Sequence, residues 1–118
     1  MLNDELKGQI QTAYRTFLEN KSLKPRYGQR VMIAEVAKLF GGVTLDDDGH
    51  RDGDPAVAAI EAGTGTGKTV AYCLAGIPIA KHLGKPLVIS TATVALQEQI
   101  VLKDLPDIQR NAGLQFGF

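Results

Sequence analysis

The apolar positions of this chain keep one period for its first third and then change it. Leu2, Leu6, Ile10, Tyr14, Phe17 and Leu18 recur at intervals of three and four, which predicts an amphipathic helix over residues 3–20. The opposite face is mixed in charge, so the stripe suits a core or a docking surface better than a membrane. The stretch Lys21 to Gly28, with Pro25 inside it, breaks this helix. A second helix is predicted over 29–40, with Met32, Ile33, Val36, Leu39 and Phe40 on one side and Gly41-Gly42 as its stop. Residues 43–55 are polar and acidic and read as a mobile surface loop. Asp46, Asp48 and Gly49 do not make a calcium loop, because the glycine is misplaced and no Glu stands at the twelfth position.

After that loop the apolar residues come in short runs. Ala56 to Ile60 suits a buried parallel strand, predicted over 56–61. A helix follows over 68–83, with Gly84 as its stop. Pro86 to Thr91 predicts a second strand, and Val94 to Leu102 a short helix with Thr93 as N-cap. Pro106 opens another short helix that Gly113 closes, and Leu114 to Phe118 begins a third strand. Alternating strands and helices imply an α/β fold with a parallel sheet and right-handed crossovers. Helices are expected to flank the sheet. Two or three strands are few for such a sheet, so the expectation is an incomplete one with an exposed edge, in a fragment of a larger protein. The division that follows is an N-terminal helical part over 1–42, an acidic loop over 43–55, and the α/β part over 56–118.

Between the first predicted strand and its helix stands Ala62-Gly63-Thr64-Gly65-Thr66-Gly67-Lys68-Thr69. Its glycines permit a tight turn whose N–H groups converge on an anion. Lys68 offers a positive charge to the β- and γ-phosphates of a nucleotide, and Thr69 a hydroxyl to Mg²⁺. Strand, loop and helix in this order place phosphate at a helix N-terminus, where unpaired N–H groups favour it. Ala62 occupies a position that the general motif gives to glycine, and this variant is common among helicases. The plainer alternative is a Gly/Thr-rich turn. With this loop, the fold class expected is an incomplete P-loop NTPase (RecA-like) parallel sheet flanked by helices, with an N-terminal helical segment.

Charge narrows little. The chain has 118 residues, 44% of them hydrophobic, with 13 basic and 13 acidic side chains and no formal net charge. That gives no global argument for nucleic-acid binding. Lys21, Lys24, Arg26 and Arg30 form the one basic concentration, readable as a solvated stretch or as phosphate contacts. Cys73 is the single cysteine, so an internal disulfide is excluded and a buried small hydrophobe expected. Nothing resembles a signal peptide or a membrane span, and the expected location is cytoplasmic.

Three segments together resemble a known family. Pro25-Arg26-Tyr27-Gly28-Gln29-Arg30-Val31-Met32, the Ala62–Thr69 loop, and Val88 through Gln99 are similar to three successive motifs of the DinG-type, XPD-like superfamily 2 DNA helicases. The likeness covers nearly the whole chain. It implies an ATP- and Mg²⁺-dependent enzyme that moves 5′ to 3′ along single-stranded DNA in repair and replication. ATP would contact Arg26, Gln29, Ala62, Gly63, Thr64, Gly65, Thr66, Gly67, Lys68 and Thr69, with Lys68 and Thr69 in the catalytic roles. DNA would contact Thr91, Thr93 and Gln97. Each has a chemical rationale. A Gln amide complements the N7 acceptor and N6 donor of adenine, although Gln29 also reads as an ordinary polar residue at a helix start. Hydroxyls beside free helix N–H groups can hold a DNA phosphate, although Thr93 also reads as a simple N-cap.

The family also implies a [4Fe–4S] cluster and an acidic Mg²⁺-binding motif. The cluster's four cysteines and that acidic motif are not found here, which reads as truncation, and residues 43–55 read as an insertion. On that basis this segment alone is expected to be inactive. The other readings are a phosphate-loop small-molecule kinase and a non-catalytic nucleotide-binding module.

Overall fold

A computed structural model of the chain describes residues 3–62 and 67–118. The first helix, α1, runs Asp4–Asn20 and is capped by Asn3, whose side-chain oxygen accepts from the Leu6 N–H at 2.7 Å. It ends through Ser22 at φ 54°, with the Leu23 N–H reaching the Leu18 carbonyl at 2.9 Å. The second helix, α2, spans Tyr27–Gly41 and starts two residues ahead of the expected boundary, because Arg26 already takes the extended N-cap conformation after Pro25. The third, α3, is Lys68–Leu83, closed by Gly84 in the left-handed region as expected.

α3 is the centre of the molecule. Ala71, Cys73, Leu74, Ala75, Ile77 and Ile79 are all buried. α2 packs along one flank through Met32, Ile33, Val36 and Ala37, and α1 through Leu6, Ile10, Ala13 and Phe17. A helix surrounded on several sides can be apolar all round. Pro78 sits inside it without ending it. An interior proline costs roughly 3 kcal/mol, which the burial of the surrounding side chains offsets.

Three expectations are corrected. Residues 43–55 are not a structureless loop. Thr44–Leu45 (β1) and Arg51–Asp52 (β2) pair as an antiparallel hairpin. Its turn is held by the Asp46 carboxylate, which accepts from the backbone N–H groups of Asp48 and His50 at 2.9 Å each, and by Gly49 at φ 80°. Second, the helix after Thr93 does not stop near 102. α4, Val94–Gln99, passes through a π turn at Ile100–Asp104 straight into α5, Leu105–Asn111. In the π turn the Leu105 N–H reaches back five residues to the Ile100 carbonyl. That widening comes immediately before Pro106, which has no N–H to give and would crowd a regular turn.

Third, α2 begins at Tyr27 rather than at Gln29, as noted. The expected parallel sheet is neither seen nor contradicted: segments 56–61, 86–91 and 114–118 form no ladder, and the only paired strands among the described residues are β1 and β2. The segment at 86–91 nevertheless lies on α3. The Leu87 side chain is so close to Gly76 that a Cβ there would meet it at 3.2 Å, and Ile89 packs against the core while Val88 is 83% exposed. That is the side-to-side alternation of a strand.

Candidate nucleotide-binding site

The sequence marks two places twenty and more residues apart, Gln29 and the start of α3, and the fold joins them. Gln29 is only 7% exposed, the one buried polar or charged side chain among the described residues. Its Nε2 donates to the Gly67 carbonyl at 3.2 Å. Gly67 is the N-cap of α3 at φ 73°. Gln29 reaches it because α2 lies against α3 and turns Gln29 inward, one residue past Gly28.

Lys68 and Thr69 open α3, Lys68 exposed and Thr69 half-buried. One turn on, Tyr72 is hydrogen-bonded with Thr69. Burial raises the Tyr72 phenol above its ordinary value, and the Thr69 contact opposes that rise. The phenol therefore stays neutral beside the hydroxyl assigned to Mg²⁺. Cys73 is sealed in the core, where burial, and secondarily the charge of Asp104, pushes its thiol up to about 12. It is a packing residue and not a nucleophile.

Ala62 is half-buried ahead of the loop. Gly63, Thr64, Gly65 and Thr66 lie outside the described residues. Arg26 is exposed, and its backbone N–H donates to the Tyr14 hydroxyl at 3.3 Å, so α1 helps to fix the entry to α2. Of the basic cluster, Lys21 is paired with Asp107 and lies 5.3 Å over the Phe17 ring. It clamps α1 to α5 rather than facing a ligand.

The residues expected to contact DNA lie at the start of α4. The Thr93 hydroxyl accepts from the Leu96 N–H at 3.2 Å, and the Thr91 hydroxyl donates to the Thr93 carbonyl at 3.0 Å. Both threonines thus order the junction. Thr93 and Gln97 are exposed, and Thr91 is half-buried. Sequence reasoning missed the bond from Gln29 to Gly67 and the pairing of Tyr72 with Thr69. The second had a signal, since residues three apart share a helix face. The first is a contact between elements and had none.

The chain is similar to proteins named as ATP-dependent DNA helicases. No family profile matches it. It is 43% identical over its whole length to the ATP-dependent DNA helicase DinG of Photobacterium profundum, and 44% identical over 92% of its length to that of Escherichia coli K12. The helicase DinG of Salmonella typhimurium is 43% identical over the same share. The chain spans 14–16% of the length of the first two relatives. The resemblance to DinG read from three motifs is thus shown along the chain as a whole.

Proposed function

We propose that this chain is the ATP-binding segment of an ATP-dependent DNA helicase of the DinG type, acting when carried in a chain of its relatives' length. The observation that carries the reading is 43–44% identity along nearly the whole chain to proteins bearing that name. The juxtaposition of Gln29 with Gly67 supports it, because it unites a base-reading amide with the phosphate-binding end of α3.

In this reading Lys68 and the amides of the Ala62–Thr69 loop hold the triphosphate, and Thr69 holds Mg²⁺ through its hydroxyl. Gln29 contacts adenine, with Arg26 nearby. Thr91, Thr93 and Gln97 hold a phosphate of single-stranded DNA at the start of α4. Segments 56–61 and 86–91 become parallel strands once neighbouring strands pair with them. Motion is 5′ to 3′, in DNA repair and replication, and the location is cytoplasmic. No helix among the described residues is long and apolar enough to cross a membrane. An iron–sulfur cluster does not fit this chain's own residues. Cys73 is its only cysteine and is buried in the core.

A small-molecule kinase gives no reason for the hydroxyl-bearing junction at Thr91 and Thr93. A non-catalytic module remains the competing reading for the segment by itself. Titration of MgATP into the chain, followed by NMR, separates these. Weak binding that Lys68→Ala abolishes, without useful hydrolysis, is the expected result. Binding that is indifferent to Lys68→Ala contradicts the phosphate-loop reading. Hydrolysis that Lys68→Ala removes contradicts the claim that this segment lacks the groups that activate water.

A further inference from the structure

The Gly67 carbonyl is used twice. It accepts from the Ala71 N–H at 3.1 Å, the first regular bond of α3, and from Gln29 Nε2 at 3.2 Å. A carbonyl oxygen has two lone pairs, and both are engaged. The same peptide unit carries the Lys68 N–H on its other side. Because a peptide is planar and trans, fixing the direction of its C=O fixes the opposite direction of its N–H. The Lys68 N–H belongs to the first turn of α3, where no intrahelical acceptor exists, so it is aimed back off the helix N-terminus.

We infer that Gln29 is a positioning residue for the phosphate-binding end of α3: by holding the Gly67 carbonyl, it aims the Lys68 N–H at the phosphate. The function extends beyond base reading and does not require a base. Nε2 has two hydrogens, so one can hold Gly67 while the other, with Oε1, remains for adenine. The base contact and the phosphate contact then share one side chain, and ordering either end orders the other.

The surroundings explain why this is a fixed arrangement. Gln29 is only 7% exposed, so its amide is largely withdrawn from water, and losing the bond to Gly67 costs more than it would at the surface. Gly67 is constrained twice. Its φ of 73° disfavours any side chain, and a Cβ there would stand 2.3 Å from Gln29 Nε2. Glycine at this position therefore serves the approach of Gln29 as well as the turn.

The consequence for phosphate rests on the phosphate-loop reading, whereas the contact itself does not. Two measurements on the chain keep them apart. The first is a double-mutant cycle in urea unfolding with Gly67→Ala, Gln29→Ala and both together. Gly67→Ala is expected to cost less in the Gln29→Ala background, where only backbone strain remains. Equal cost in both backgrounds overturns the contact and the inference.

The second uses magnesium tripolyphosphate, which has no base, with Gln29→Met as a variant of similar shape lacking the donor. Its unfolding curve establishes that it is folded at the titration temperature. Gln29→Met is expected to weaken tripolyphosphate binding about fivefold or more, the effect of one hydrogen bond. Unchanged tripolyphosphate affinity with weakened ATP affinity reduces Gln29 to a base reader and overturns the inference. If the wild-type chain shows no Lys68-dependent binding of tripolyphosphate, the phosphate-loop reading fails, and the proposed effect on phosphate fails with it.

Discussion

α3 and the segment at 86–91 are both apolar, and they fare differently. α3 satisfies its own backbone, residue by residue, and needs neighbours only to cover its side chains. α1, α2 and the π-turn helix supply that cover. Residues 86–91 alternate like a strand and already seat Leu87 on Gly76, yet they pair with nothing among the described residues. A strand cannot satisfy its own N–H and C=O groups, so its identity depends on a partner in a way that a helix's does not. The helical part of this chain therefore meets its own backbone needs, while the strand-like segment lies on α3 without a ladder among the described residues.

Leu74 and Val88 set the scale of that contrast. Leu74 is 0% exposed and Val88 is 83% exposed. Leu74→Ala is expected to destabilise the chain by about 2–5 kcal/mol, measured by urea unfolding. Val88→Ala should stay within about 0.5 kcal/mol. Similar losses at the two positions would break the comparison. In a chain of the relatives' length, a larger loss at Val88, with slowed amide exchange at Val88 and Ile89, would sharpen it by showing the pairing.

The interior of α3 also has a pH signature. The unfolded Cys73 thiol ionises near 9.0, and in the fold burial holds it protonated up to about 12. Its contribution is complete below pH 9 and declines as pH rises toward 12. The steepest decline is about 1.4 kcal/mol per pH unit. Tyr72, raised above 10.0, acts with the same sign, its contribution declining from about pH 10 upward and so overlapping that of Cys73. Unfolding measured across this range should therefore show a falling stability that Cys73→Ala flattens in its lower part. A profile unchanged by that variant would place the thiol in solvent.

At the other end of the comparison, Thr93→Ala removes the cap of α4. The expected loss is about 1 kcal/mol, read by urea unfolding, and Thr93→Ser should restore most of it. No loss would mean that the Leu96 N–H has found another acceptor, such as water.

Much of this was legible in the sequence for the same physical reason. The periodicity of Leu6, Ile10 and Phe17 specified α1, and Gly84 specified the end of α3. These are local signals, as is the Thr93 cap. The hairpin at 44–52 was hidden because its strands are two residues each and its turn is built from Asp46, a residue that also suits a loop. The π turn was hidden because Pro106 reads as a helix start, when here it follows a widened turn inside one. The site divides in the same way. The string ending in Gly67-Lys68-Thr69 marks the start of α3 as a candidate phosphate site, but the bond from Gln29 spans 38 residues and depends on how α2 lies on α3.

The most direct test of the central claim is ATP hydrolysis by a protein of the relatives' length that carries this chain, with and without single-stranded DNA. The account predicts that single-stranded DNA stimulates hydrolysis, and that Lys68→Ala abolishes both the basal and the stimulated rate. Hydrolysis indifferent to DNA, or surviving Lys68→Ala, would contradict it.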